Sequence, residues 1–513
     1  MLSDIRPLAP AARPLLPFWA ALAVAAGSGP ILDAAFPDGN WWPLAYVGIA
    51  LVLLALIGRR AGSSLLIGFI AGLSFYLCHI EWASLFLGFL PMTALSVLES
   101  LFFALGALTI TLVYRWLPRA FPSPIGRLLL LPVVVAGLWT AREAIASVWP
   151  YGGFAWGRVA LSQSESPIRE LFSWLGISGV SFVMVLLVAL VIECGRSASL
   201  RRMAIAVLAL GVVLVIPAWP TATDGSMRVL AVQGNGPAGY FDERSDGDLL
   251  RAQLEATEPF VGEDVDVVVW PEGASEYSPL TTQVGSNAFD DVSETFDAPL
   301  IGWAVTERGD EIFNTSILWQ AGEGQLDYYD KQHPIPFGEY VPDRAFWRPF
   351  APDLIDLIGR EYTPGTTDTV YDVNGVMVGV NICFDISDDV ILANSVRDGA
   401  QIIFAQSNNG DFGYTDESVQ QLAIARIRAM EFGRSVVNVS TVGTSAIIAP
   451  DGSTIDQLDD HTVGGMLEAV PLSNATTPAA VAGKWIEWLV SALGIAGLAI
   501  GGWRFRRGSA QSK

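Results

Sequence analysis

The chain has 513 residues, 51% of them hydrophobic and only 16% charged, which is too apolar for an ordinary soluble enzyme. Its formal net charge of -22 is nevertheless that of a strongly acidic soluble protein, so two regions of opposite character share one chain. The absence of a basic patch excludes a nucleic-acid binder, three cysteines exclude a disulfide framework, and no Walker loop or Gly-rich dinucleotide fingerprint is present.

Long apolar runs fill residues 16–219 and return at 486–503. A bilayer-spanning helix needs about 20 apolar residues. Expected spans are Leu15–Leu32, Trp42–Ile57, Leu65–Leu85, Thr93–Leu117, Leu128–Val148, Leu171–Ile192, Met203–Trp219 and Trp485–Trp503. The first could be read as a signal peptide, but it lacks a small-residue cleavage site and runs at once into more apolar sequence. Cys78 and Cys194 lie in apolar segments and read as small fillers. His79, beside Cys78, has no further ligand-type residue at metal-site spacing.

Basic residues orient these spans. Arg6 and Arg13 precede the first, Arg59 and Arg60 follow the second, Arg115, Arg119 and Arg127 follow the fourth, Arg196, Arg201 and Arg202 follow the sixth, and Arg504, Arg506, Arg507 and Lys513 follow the last. By the positive-inside rule both termini are cytoplasmic. The expected organisation is a membrane domain over 1–225 with seven transmembrane helices and an extracytoplasmic domain over 226–470. A linker over 471–483, an eighth transmembrane helix over 484–503 and a cytoplasmic tail over 504–513 follow. The expected location is the cell (plasma) membrane, as a multi-pass protein.

Within 226–470, Arg228–Gln233, Val265–Trp270, Leu300–Val305, Thr315–Trp319, Val376–Ile382, Gln401–Ala405, Val436–Ser440 and Ser445–Ile448 are strand-like. Asp246–Thr257, Asp385–Val396 and Glu417–Phe432 are helix-like, so the mixture predicts a layered α/β domain. Three strand ends carry reactive side chains. Val265–Glu272 ends in a carboxylate, Leu326–Lys331 in an amine, and Val376–Cys383 in a thiol placed before a helix whose dipole favours a thiolate. Strand ends of like direction share one edge of such a fold. A thiol nucleophile needs a base and a positive partner for its oxyanion. Glu272, Lys331 and Cys383 are the candidates.

The flanks of these residues are Trp270-Pro-Glu272, Pro336-Phe-Gly-Glu-Tyr-Val-Pro342 after Lys331, and Gly379-Val-Asn-Ile-Cys-Phe-Asp385. This pattern resembles the nitrilase, or carbon-nitrogen hydrolase, superfamily. Joined to seven preceding helices and one following helix, it looks like the apolipoprotein N-acyltransferases, the membrane-embedded branch of that superfamily. The resemblance implies an α-helical membrane bundle plus an α-β-β-α sandwich. It makes Glu272 the general base, Lys331 the transition-state lysine and Cys383 the acylated thiol. Glu339 would orient the amine and its proton transfers, with Phe384 and Asp385 in support. Trp156, Asn314, Asn408 and Tyr340 would line the substrate site, and Arg428 and Glu431 would form a buried polar helix beside it. Cys383-Phe384-Asp385 departs from the family's usual Cys-Tyr-Glu, and Asp411 stands where an aromatic is common.

The resemblance further implies transfer of a fatty acyl chain from a phospholipid, through a Cys383 thioester, to the α-amine of the diacylglyceryl-cysteine of apolipoproteins. The partners would be phospholipid donor, lipoprotein acceptor and membrane, with no cofactor, metal or nucleic acid, and the expected state is a monomer. Two alternatives use the same sequence: a membrane-tethered amidase, or a non-catalytic partner of a membrane glycosyltransferase. Arg344–Arg360, which follows the Lys331 motif, crowds Leu354, Ile355, Leu357 and Ile358 into one turn. It reads as an apolar lid at headgroup level, against the alternative that it is core.

Overall fold

This computed structural model describes residues 13–197 and 199–511, with side chains through 507. Arg6 and Lys513 of the charge pattern lie outside the described residues. The chain forms two units. One comprises Met1–Ser84, Gly88–Ala218 and Val481–Lys513 so far as these are described; the other comprises Leu85–Leu87 and Trp219–Ala480.

The first unit is helical. Five of its described helices are long and apolar enough to cross a membrane: Ala61–His79, Phe89–Ala120, Gly126–Ala146, Arg169–Arg196 and Pro478–Arg507. Phe18–Asp33 and Pro43–Leu56 are apolar but shorter, and Leu200–Leu214 has 15 residues. Eight full-length spans were the expectation from the apolar runs, and five helices reach that length. Two of the runs change their bounds for visible reasons, and only the second of these is among the three that fall short. The run Leu65–Leu85 is interrupted at Ile80, and a separate five-residue helix, Ala83–Leu87, follows before Gly88 turns the chain at φ 85°. The run to Trp219 stops being helical at Leu214, ahead of Pro217 and Pro220. Helices Ala61–His79 and Phe89–Ala120 approach closely because Gly68 has no side chain; a Cβ there would come within 2.4 Å of Ala107 Cβ.

The second unit contains two six-stranded mixed sheets. The strands are β1 Ser226–Gln233, β2 Val267–Val269, β3 Leu300–Arg308, β4 Glu311–Gln320, β5 Gly324–Asp330, β6 Val370–Val373, β7 Val376–Ile382, β8 Ile402–Ser407, β9 Ser435–Ser440, β10 Ala446–Ile448, β11 Thr454–Gln457 and β12 Gly464–Pro471. Their orders are β12-β1-β2-β3-β4-β5 and β11-β10-β9-β8-β7-β6. Val229, Val267 and Ile301 from one sheet share a buried cluster with Val380, Phe404 and Val437 from the other, so the core lies between the sheets. Each fully buried aliphatic side chain there contributes roughly 1.5–3 kcal/mol. A second cluster packs Phe289, Val292 and Phe296 of helix Gln283–Phe296 against the outer face of the first sheet. The layered sandwich expected from the motifs is therefore present.

Topology fixes where the reactive ends emerge. β1, β2 and β3 are parallel, β4 reverses and β5 reverses again, so β2 and β5 end on the same edge. β7, β8 and β9 are likewise parallel. Gln406 Nε2, near the end of β8, donates to the carbonyls of Trp270 (2.6 Å) and Gly302 (3.2 Å), tying the two sheets together at that edge.

Several expected boundaries move. β12 runs to Pro471 and the last helix starts at Pro478, so the expected linker over 471–483 shrinks to 472–477, and the expected tail continues the helix to Gln511. The helix expected over Asp385–Val396 begins only at Asp389; Cys383–Ser387 form a 3-10 turn before it.

Candidate active site

Glu272 follows β2, in Trp270-Pro-Glu-Gly273, where Gly273 takes φ +74° and releases the chain from the sheet. Lys331 follows β5, its backbone N–H held by the Asn314 carbonyl of β4 at 2.8 Å. Cys383 follows β7 at φ +50°, a left-handed conformation that costs a residue with a Cβ about 1–2 kcal/mol. Such strain persists only where surrounding structure enforces it. Here Asp385 and Arg428 supply that structure. Asp385 accepts from the Ile382 N–H (3.1 Å), the His333 N–H (2.9 Å) and the Tyr329 hydroxyl (2.8 Å). Arg428, fully buried on helix Glu417–Phe432, donates to the Ile386 carbonyl (3.0 Å) and the Ser387 carbonyl (2.7 Å) and pairs with Asp389 and Glu431. The Tyr329 hydroxyl thus reaches the short Asp385 carboxylate, and Phe384 packs edge-on to His333 at 5.1 Å.

Lys331 Nζ lies 2.8 Å from Glu339 Oε2 and 3.6 Å from Glu272 Oε1. Asn314 Nδ2 donates to both carboxylates, at 2.7 Å to Glu272 and 2.8 Å to Glu339, while its Oδ1 accepts from Trp303 Nε1 at 2.6 Å. Glu339 also accepts from the Ile335 N–H at 2.7 Å. All four groups are buried. Burial pushes the Glu272 carboxyl up, against the pull of Lys331. Burial opposes the Lys331 charge, but Glu272 and Glu339 outweigh it and hold the ammonium well above its ordinary range. Burial pushes the Cys383 thiol well up, with Lys331 opposing. This corrects the thiolate expected from a helix dipole: the helix starts too late, and the resting sulfur keeps its proton. A neutral thiol beside a carboxylate of raised basicity and a fixed ammonium is equipped for base-assisted acyl transfer.

The other named residues are placed differently. Asn408 braces a loop, donating to the Ala238 carbonyl at 3.0 Å and accepting from the Gly410 N–H at 3.0 Å. Tyr340 closes the turn in which its carbonyl accepts from the Phe337 N–H at 2.8 Å. Asp411 accepts from the Tyr240 N–H at 2.6 Å. Trp156 belongs to the membrane unit, where it is buried against Phe154 and Trp82. Gln421, which the sequence did not single out, donates from Nε2 to Cys383 Sγ at 3.6 Å.

A family model described as apolipoprotein N-acyltransferase N-terminal domain matches residues 28–190, and one described as carbon-nitrogen hydrolase matches residues 231–479. An apolipoprotein N-acyltransferase of Mycolicibacterium smegmatis is 32% identical over 94% of this chain and 84% of that protein. The chain belongs to the apolipoprotein N-acyltransferase family. Further members are similar at comparable coverage: one from Pseudomonas aeruginosa is 29% identical over 90% of this chain and 92% of its own, and one from Shewanella oneidensis 26% identical over 93% and 94%. A solved CN-hydrolase superfamily protein of Xanthomonas campestris covers 48% of this chain and 91% of its own, at 18% identity and TM-score 0.37. Family membership bears out the resemblance carried by the three motifs, and makes the chain an acyltransferase with a carbon-nitrogen hydrolase domain.

Proposed function

We propose that this enzyme N-acylates lipoproteins in two steps at Cys383. The observation that carries the reading is the buried set of Glu272, Lys331 and Glu339 beside a strained Cys383, in a chain matched to the family along most of its length. In the first step Glu272 takes the thiol proton as Sγ attacks a phospholipid ester carbonyl. Lys331 stabilises the oxyanion. The C–O bond breaks, Glu272 returns the proton to the leaving alkoxide, and lysophospholipid departs from the thioester. In the second step the α-amine of a diacylglyceryl-cysteine attacks the thioester and gives its proton to Glu272. The C–S bond breaks, the sulfur regains the proton, and an amide remains. Purified protein given labelled phospholipid alone should accumulate a hydroxylamine-sensitive label on Cys383, discharged by a diacylated lipopeptide. Label that never appears on this cysteine would refute the reading.

The arginine pattern supports a catalytic domain over 226–470 outside the membrane, with both termini cytoplasmic. Equal sidedness requires an even number of crossings; five long helices are odd, and taking the three short helices as spans too gives eight. At about 1.5 Å per residue the short helices fall short of a hydrocarbon core of about 30 Å and need local thinning of the bilayer or snorkelling flanks. The exposed Leu200, Ile205, Val207, Leu208 and Val212 suit a lipid-facing helix. A reporter fused after Gly225 should be active only outside the cytoplasm; activity only inside would overturn the topology.

The stretch Arg344–Arg360 combines both earlier readings. Ile355 and Ile358 are buried with Val341 against Leu87, Phe337 and Trp347, whereas Phe346, Phe350 and Leu357 are exposed. Leu354 and Ile358 would therefore be a poor probe of a lid, since Ile358 is core. The exposed trio is the lipid-facing part of the proposed lid. Replacing all three by Ser should lower transfer from phospholipid vesicles about tenfold, as roughly expected for losing a few buried apolar contacts. Alkylation of Cys383 by iodoacetamide should be unchanged. Unaltered transfer would show that the lid does not touch lipid.

A further inference from the structure

A hydrogen-bond chain separate from the Lys331 cluster ends on the same sulfur. Gln421 donates from Nε2 to Cys383 Sγ (3.6 Å), and its Oε1 accepts from Asn409 Nδ2 (3.1 Å). Asn409 Nδ2 also donates to Glu417 Oε2 (2.6 Å), and Asn409 Oδ1 accepts from Ser440 Oγ (2.7 Å). Glu417, Gln421, Asn409 and Ser440 are each at most 2% exposed. The mechanism above uses none of them.

We propose that Glu417 is a positioning residue which sets, through the side-chain amides of Asn409 and Gln421, whether an N–H or a carbonyl faces the Cys383 sulfur. The proposal rests on the reading of Cys383 as the acylated thiol. An amide has a donor end and an acceptor end, and a carboxylate only accepts. With Glu417 ionised, Asn409 must turn its Nδ2 towards it. The second Nδ2 hydrogen then goes to Gln421 Oε1, which leaves Gln421 Nε2 for the sulfur. With Glu417 protonated, the carboxyl can donate. Asn409 then turns its Oδ1 to accept from Glu417 and from Gln421 Nε2, and Gln421 presents its carbonyl to the S–H. Ser440 makes both arrangements complete. Its Oγ lies 2.7 Å from Asn409 Oδ1 and 2.5 Å from the Val442 carbonyl, so it donates to Asn409 in the first state. In the second it donates to Val442 while accepting from Asn409. Neither state leaves a buried amide atom unpaired. The first favours thiolate development during attack; the second holds the proton on sulfur.

Burial pushes the Glu417 carboxyl up to about 8, so the switch falls in the neutral range. The titratable groups facing this chain are Glu272 from the end of β2 and Cys383 from the end of β7, with Lys331 and Glu339 beyond Glu272; its own helix contributes the neutral Gln421.

The test uses full-length enzyme in detergent and follows iodoacetamide alkylation of Cys383 by peptide mass spectrometry from pH 6 to 10. Wild type should show a step of about five- to tenfold near pH 8, the size of one hydrogen bond to sulfur changing sense, on top of the thiol's own ionisation. Glu417→Gln, isosteric and without a titrating proton, should lose the step while keeping its unfolding midpoint. Gln421→Met should lose it too, with slower alkylation at pH 9. A wild-type step persisting in Glu417→Gln overturns the proposal. Failure of the underlying reading looks different: Cys383→Ala would still transfer acyl chains.

Discussion

Cys383→Ala should lose acyl transfer by about a thousandfold or more and accumulate no thioester, because no other group in the described cluster can be acylated and discharged in two steps. The fold should survive. Alanine carries the same Cβ as cysteine, so the φ +50° backbone is no more strained than before, and the Asp385 and Arg428 contacts that hold the turn are to backbone and side-chain atoms of other residues. Removing one buried sulfur leaves a small cavity costing about 1 kcal/mol. Cys383→Ser would keep a poorer nucleophile in the same place and fall between the two. Transfer assays with labelled phospholipid and a diacylated lipopeptide, alongside thermal unfolding, separate loss of chemistry from loss of fold. An alanine variant with near-normal turnover would rule out the thioester.

Lys331→Met should be damaged in both respects. Loss of the ammonium removes the oxyanion partner, worth about 100- to 1000-fold in turnover. It also leaves Glu272 and Glu339 buried together on Asn314 with no cation, and stripping one partner from a buried ion pair costs about 3–5 kcal/mol. The pH dependence follows from the signs. In wild type the Lys331 pKa is held above its unfolded value, so its stabilisation is complete below about pH 10 and is lost only as pH rises through the folded value. In the variant the pull of Lys331 on Glu272 is gone, so burial raises the Glu272 carboxyl further and it binds a proton at higher pH. The deficit is then smallest near pH 5 and grows as pH rises through that raised value. Adding Glu339→Gln should recover part of the stability and none of the activity. Unfolding midpoints at pH 5 and pH 8.5 test this; a Lys331→Met protein as stable as wild type at pH 8.5 would mean the carboxylates do not depend on Lys331.

Much of the fold was legible because burial writes a period into the chain. β7 occupies Val376–Ile382, where every second residue is Val or Ile, and the helix Glu417–Phe432 falls where it was expected. Helix Gln283–Phe296 was overlooked because Gly285, Ser286 and Asn287 weaken its propensity, although Ala288, Phe289, Val292 and Phe296 do mark one buried face. That Glu272, Lys331 and Cys383 follow strand ends was legible because each lies within a motif. Gln421 and Glu417 were not legible. Their helix is buried all round, so no polar face stood out, and their link to Cys383 runs through Asn409, a contact made by folding alone. The thiolate expectation failed for a local reason: a 3-10 turn separates Cys383 from the helix start.

Asn314 has a consequence for how protons travel in this cluster. Both hydrogens of its Nδ2 are committed, one to each glutamate, and its oxygen is taken by Trp303. A saturated amide can neither accept a proton nor pass one on. In electrical terms it is an insulator that clamps two terminals at a fixed spacing. Lys331 lies 2.8 Å from Glu339 and 3.6 Å from Glu272, and its firmly held ammonium balances the charge of the pair without giving up a proton. In the mechanism proposed above, a proton taken up by Glu272 therefore stays there until Glu272 itself returns it. The two proposed acyl-transfer steps thus share one proton store, which the first must empty before the second can fill it.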